Sequence, residues 1–170
     1  MNSLHTDRLS LIPLELSEAG FIFDLVNSAG WIRFIGDRKI KNVDYAQEYI
    51  KNILNNPSIM YWVVKLKDTG TSIGIITFIK REYLDHQDIG FAFLPTAEKK
   101  GYAYEAARVV LDHVTKDSLS APVLATVAAD NVSSVRLLER LGFEFDHEIE
   151  AEGKKLMLYS VIITADKRYI

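Results

Sequence analysis

The segment Asp130-Asn131-Val132-Ser133-Ser134-Val135-Arg136-Leu137-Leu138-Glu139-Arg140-Leu141-Gly142-Phe143 constrains this chain more than any other. Asn131 and Ser134 stand three apart at a helix entrance, where their side chains can bond backbone N–H groups or a ligand. Val135, Leu138 and Leu141 then repeat on one face of a short amphipathic helix. Gly142, a residue that takes positive φ without steric cost, stops that helix just before Phe143.

Ahead of this unit, Pro122 introduces a strand from Val123 to Val127 that leads directly into it. Leu9 to Leu14 alternates loosely and ends at Pro13, a first strand followed by a helix from about Ser17 to Asn27. A second helix is expected near Asp44, with Gln47 three residues on as a capping pair and Tyr45, Tyr49, Ile53 and Leu54 on its apolar side. Asn55-Asn56-Pro57 ends it. Three strands follow, Tyr61 to Leu66, Ser72 to Lys80 and Gln87 to Phe93, in the spacing of an antiparallel meander. Gly101 opens a helix with Tyr102, Ala103, Ala106, Val110 and Val114 on or near one stripe. Phe143 to Ile149 and Leu156 to Ile163, joined by residues 150–155, form a last hairpin. The predicted order is β-α-α-β-β-β-α-β-α-β-β, a mixed α/β class with a mostly antiparallel sheet flanked by helices.

With 170 residues and 48% apolar content, the chain can bury one substantial core, so residues 1–170 are read as a single domain. The absence of Cys excludes disulfides, thiolate nucleophiles and cysteine-based metal sites. His5, His86, His113 and His147 show no metal-ligand spacing, and no metal is expected. The first residues lack a signal-peptide apolar core and no apolar run approaches the ~18 residues of a span, so a cytoplasmic location and no membrane partner are expected. A net charge of −3 gives no basic face for phosphate neutralisation, which argues against nucleic acid.

Two places can carry chemistry. The strand Asp88-Ile89-Gly90-Phe91-Ala92-Phe93-Leu94-Pro95 runs through a short loop into Glu98-Lys99-Lys100-Gly101-Tyr102-Ala103 at a helix start. Unpaired N–H groups and the positive dipole end there suit a diphosphate, with Lys99 and Lys100 adding charge. Gly101 can equally be a helix-start glycine without a ligand, and Asn131 and Ser134 can simply cap their helix. Asp88 is a carboxylate at the start of a strand, readable as a base or as an exposed strand-end acid, with Glu82, Asp85 and His86 as further base candidates. Trp31, Phe34, Tyr61, Trp62 and Tyr83 lie where an acceptor cleft would be bordered, and most are expected in the core. Trp31 to Gly36 is expected in a loop, where exposed aromatics would form a substrate wall.

The pattern N-x-x-S-x-x-L-L-E-x-L-G-F over residues 131–143 resembles the second CoA-binding motif of the GNAT N-acetyltransferases, in the branch of the ribosomal-protein alanine acetyltransferases (RimJ/RimL-like). Gly101 and Ala103 match the last half of the family's pyrophosphate motif Q/R-x-x-G-x-G/A, and Glu105-Ala106 also occurs in this branch. Glu98 stands where Gln or Arg is usual, and Lys99 replaces a Gly found in many relatives. Thr6-Asp7-Arg8-Leu9 resembles the family's opening strand, and the element order agrees along nearly the whole chain.

The resemblance implies a GNAT (acyl-CoA N-acyltransferase) fold and direct transfer of an acetyl group from acetyl-CoA, as co-substrate, to a primary amine. It implies that Phe91, Phe93, Leu94, Lys99, Lys100, Gly101, Tyr102, Ala103, Asn131 and Ser134 hold the donor. Many members place a proton-donating Tyr seven residues after the motif Asn. Leu138 stands there, so the role passes to the Ser134 hydroxyl, as proposed for this branch. Asp88, near the catalytic Glu of histone-type relatives, is the expected base. A protein N-terminus is the obvious acceptor by analogy, while polyamines, amino acids, amino sugars and drugs stay open. Two further readings stay open as well: transfer of an acyl group larger than acetyl, and a non-catalytic CoA- or partner-binding module on the same fold. The sequence does not choose between monomer and homodimer.

Overall fold

The computed structural model describes residues 1–116, 121–151 and 153–162. Its strands are β1 Leu4–His5, β2 Leu9–Pro13, β3 Ile59–Leu66, β4 Ser72–Ile79, β5 Asp88–Phe93, β6 Val123–Val127, β7 Glu144–Ala151 and β8 Lys154–Val161. Its helices are α1 Ala19–Val26, α2 Ala29–Phe34, α3 Val43–Leu54, α4 Tyr102–Val114 and α5 Val132–Arg140. The strands form one eight-stranded sheet in the order β1-β2-β3-β4-β5-β6-β8-β7. Every adjacent pair is antiparallel except β5 and β6. This is the mixed, mostly antiparallel α/β arrangement that the element order predicts.

Both faces of the central strands are covered, which is why β3 reads as an unbroken apolar run instead of an alternating one. Trp62 and Val64 of β3 join Ile76 and Phe78 of β4 in a core shared with Ala106, Val110 and Leu111 of α4 and Leu138 and Leu141 of α5. Tyr61 and Val63, on the other face, pack with Ile22 and Leu25 of α1, Trp31 of α2 and Ile50 and Ile53 of α3. A small third cluster joins Leu84 to Leu124 of β6 and Leu158 of β8. Among the described residues no helix is long and apolar enough to cross a membrane.

Three sequence expectations are corrected. Residues expected in a loop from Trp31 to Gly36 begin inside helix α2, whose cap is Ser28: its Oγ accepts from Trp31 N–H at 3.4 Å. Trp31 is therefore core, 4% exposed, and no substrate wall. Asn42, not Asp44, caps α3, accepting from Tyr45 N–H at 3.0 Å. Ala46, Ile50 and Ile53 form its buried stripe, and Tyr45 and Leu54 are exposed. The final turn is tighter than expected: β7 runs on to Ala151 and β8 starts at Lys154, with Gly153 at φ 71 between them. Glu152, and Ile163 at the expected end of the last strand, lie outside the described residues.

Candidate active site

The sheet comes apart where its one parallel pair begins. β5 and β6 are registered only at Asp88 and Leu124, where Leu124 N–H donates to Gln87 C=O at 3.0 Å. Beyond that point both strands run on to Phe93 and Val127 without pairing to each other. Because they are parallel, the helices that follow them, α4 and α5, both start at the open end of the split. A crevice at the carboxyl ends of diverging parallel strands, faced by helix N-termini, is where α/β sheets bind anionic ligands.

The free edge of β5 has a defined set of groups. Leu94 N–H donates to Ile73 C=O and Leu94 C=O accepts from Ala97 N–H, both at 2.9 Å. Strand backbone alternates in direction, so Ala92 and Gly90 also turn their backbone groups toward β4, and Phe91 and Phe93 turn theirs toward the split. Of the three strand residues expected to meet the donor, Phe91 and Phe93 thus present backbone there, whereas Leu94 has only its side chain to offer. The Phe93 ring lies over Gly74 of β4, where a Cβ would come within 2.3 Å of it.

The loop from β5 to α4 is shaped by two left-handed residues, Lys99 at φ 59 and Gly101 at φ 80. At Lys99, where the family resemblance points to a Gly in many members, the backbone takes the left-handed φ that glycine adopts without steric cost. Gly101 is the N-cap of α4 and provides no side-chain cap, so among the described residues the first-turn N–H groups of Tyr102 and Ala103 receive no capping hydrogen bond from a side chain. Lys99, Lys100 and Glu98 are exposed beside them. A partner missed by the sequence reading reaches in from the start of β2: Arg8 donates through Nη1 to Lys100 C=O at 3.0 Å and through Nε to Glu105 Oε2 at 2.8 Å. Opposite charges 97 positions apart carry no local signal in one sequence.

At the second helix, Asn131 does cap: its Oδ1 accepts from Ser134 N–H at 3.3 Å and from Ser133 Oγ at 3.1 Å. Its amide nitrogen and the half-buried Ser134 hydroxyl make no hydrogen bond among the described residues. The capping reading and the ligand reading therefore use different atoms. Leu138 is 1% exposed in the core below. The helix ends as expected, with Gly142 at φ 91 and Phe143 N–H donating to Leu138 C=O at 3.0 Å.

Asp88 sits at the closed end of the split. It is neither exposed nor at a loop: it is 2% exposed, and both carboxylate oxygens accept from Arg81 Nε, at 3.0 and 2.9 Å. Along a six-residue strand it stands about 17 Å from Phe93. Glu82, Asp85 and His86 are exposed in the connection that precedes it. Tyr61, on the α1–α3 face, is buried, and burial first, then the neighbouring Tyr49, pushes its phenol well above the ordinary range. Two contacts join α2 to the far side of the split: Arg33 to Asp130 at 3.0 Å, and Lys154 Nζ donating to Ile35 C=O at 3.2 Å. Among the described residues no group of three His, Cys, Asp or Glu is placed to hold a metal.

Comparison with known proteins bears directly on this arrangement. Residues 8–144 match the family described as acetyltransferase (GNAT) domain. The uncharacterized N-acetyltransferase YnaD of Bacillus subtilis (strain 168) is 26% identical over 137 residues, 81% of this chain and 79% of that protein. The crystal structure of a GNAT-family acetyltransferase from Bacillus anthracis superposes with a TM-score of 0.79 at 20% identity, over 95% of this chain and 98% of that one. RimL, the ribosomal L7/L12 alpha-N-protein acetyltransferase solved in complex with coenzyme A, gives a TM-score of 0.82 at 14% identity, over 97% and 100% of the two chains.

Proposed function

The chain belongs to the GNAT acetyltransferase family and is an N-acetyltransferase, and from that premise we propose that it transfers an acetyl group from acetyl-CoA directly to a primary amine. The observation that carries this reading is the α4 N-terminus, which has a left-handed Gly101 in place of a capping side chain and two lysines beside it. Residues present fit a diphosphate there, and the unpaired Phe91 and Phe93 backbone fits an amide-bearing arm lying in the split.

Acetyl-CoA supplies the activated thioester, at whose carbonyl carbon the C–N bond forms as the C–S bond breaks. Lys99, Lys100, Gly101, Tyr102 and Ala103 hold the diphosphate; Phe91 and Phe93 pair with the arm; Asn131 contributes its amide N–H. Ser134 Oγ gives its proton to the departing sulfur. Asp88 takes the proton lost by the amine. The acceptor is a protein N-terminus, a choice supported by the fold shared with RimL and by the motif at Asn131. The same reading makes residues 1–170 one domain, acting in the cytoplasm.

Acetyl-CoA at ~100 times Kd should add roughly 2.7 kcal/mol of stability and raise Tm by about 5–11 °C. A peptide with a free N-terminus should then release CoA, and its Nα-blocked form should not. No Tm shift at millimolar acetyl-CoA sinks the donor assignment; equal release with spermidine and with the free peptide sinks the choice of acceptor.

A further inference from the structure

We propose that Arg8 is a positioning residue for the donor site: it neutralises Glu105 in the first turn of α4 and turns the Gly101 N–H toward the diphosphate. This rests on the donor assignment above and goes beyond it. A carboxylate in a helix's first turn is attracted by the same positive end that a phosphate uses. Uncompensated, Glu105 would take up that field and repel the ligand.

The structure shows the compensation in full. Glu105 Oε1 accepts from Thr6 Oγ1 at 2.5 Å and from Arg8 N–H at 3.1 Å, and Oε2 accepts from Arg8 Nε at 2.8 Å and pairs with Nη2 at 2.6 Å. This is a forked, charge-assisted contact of the strong kind. Partial burial alone would raise the Glu105 pKa, but the Thr6 hydroxyl and Arg8 outweigh it and hold the carboxyl below its ordinary value. The third nitrogen, Nη1, donates to Lys100 C=O at 3.0 Å. In a trans peptide the C=O and the next N–H point in opposite directions, so fixing the Lys100 carbonyl on Arg8 directs the Gly101 N–H away from it. The guanidinium also lies 4.6 Å from the Tyr102 ring centroid, and a Cβ at position 101 would stand 3.4 Å from Nη2. One side chain thus fixes both ends of the turn that opens α4, and the pair's charges cancel, leaving Lys99, Lys100 and the helix end to the diphosphate.

The test is a double-mutant cycle read by calorimetric Kd for CoA, alongside the ratio of kcat/KM for acetyl-CoA to that for S-acetyl-pantetheine, which lacks the diphosphate. Arg8→Gln should weaken CoA binding about tenfold and lower that ratio by a similar factor. Arg8→Gln combined with Glu105→Gln removes the carboxylate that the first change exposes and should recover most of the loss, to within about threefold of wild type. Arg8→Lys, which keeps charge without the fork, should fall between. An unchanged Kd in Arg8→Gln overturns the proposal. So does an equal loss with S-acetyl-pantetheine, or a double variant no better than the single one, because either outcome makes Arg8 a tie between β2 and α4 and nothing more. Wild-type protein that fails to bind CoA would instead defeat the donor assignment itself.

Discussion

The two helices that start at the open end of the split are finished in opposite ways. α5 caps itself: Asn131 accepts from Ser134 N–H, as Ser28 does for α2 and Asn42 does for α3. α4 does not, because Gly101 has no side chain and the charged residue in its first turn, Glu105, is turned onto Arg8 and Thr6. A helix end whose donors are satisfied by its own chain has side chains to offer; one whose donors are left open has a field and bare N–H groups to offer. Under the proposed function the difference becomes a division of labour, with α4 holding charge and α5 supplying the atoms that meet the reacting end.

The sharpest way to break that division is through the proton-transfer pair. Ser134→Ala keeps the backbone N–H that Asn131 caps and removes only the hydroxyl, so kcat should fall roughly 100-fold with little change in KM for acetyl-CoA. Asp88→Asn should lower kcat by a similar factor and leave the affinity for CoA alone. Since Arg81 is itself part-buried, the Asn variant should also lose stability, and a melt must accompany the rates. Steady-state kinetics that show less than a threefold change in Ser134→Ala would remove Ser134 from the α5 side of the comparison.

A smaller effect separates ligand field from backbone strain. Gly101 and Gly142 both sit at positive φ, 80 and 91, one at the start of α4 and the other at the end of α5. Alanine at either position pays a left-handed penalty of about 1–2 kcal/mol, so both variants should melt several degrees lower. Only Gly101→Ala, whose new Cβ would stand 3.4 Å from Arg8 Nη2 at the start of α4, should also raise Kd for CoA, by about tenfold. Matching Kd values in the two variants would mean the turn before α4 is ordinary.

Much of this was legible in the chain and some was not, for physical reasons. Where one face is buried and the other wet, as in α5, periodicity and the Gly-Phe stop located the helix to within a residue. Phe91 and Phe93 were named, with Leu94, only through the family resemblance, because nothing in the pattern of one strand says which of its edges goes unpaired. What escaped was pairing at a distance and the choice of cap. Arg8 meets Glu105 across 97 positions, and Asp88 meets Arg81 once the connection from β4 to β5 folds back; no local pattern told Arg81 apart from the chain's other cations. In α3 the Asp44–Gln47 spacing resembled a capping box, but Asn42 is the cap; of the predicted apolar side Ile53 is buried and Tyr49 packs on the core, while Tyr45 and Leu54 are exposed. α2 was missed because a helix of six residues is too short for its period to register.

The subtlest contrast lies within Asn131, whose carbonyl oxygen caps the helix while its amide nitrogen makes no hydrogen bond among the described residues. Asn131→Ala loses both functions and should cost about 1 kcal/mol, a Tm drop of roughly 2–4 °C for a chain of 170 residues. Asn131→Asp keeps an equally good cap and favours the helix dipole, so its melting temperature should stay at the wild-type value. It replaces the amide donor by a carboxylate oxygen, however, and the Kd for CoA should rise a few-fold. Calorimetry and a melt on the same two proteins decide the matter. A full-affinity Asp variant would make Asn131 a cap and nothing else, leaving Ser134 as the one side chain α5 brings to the reaction.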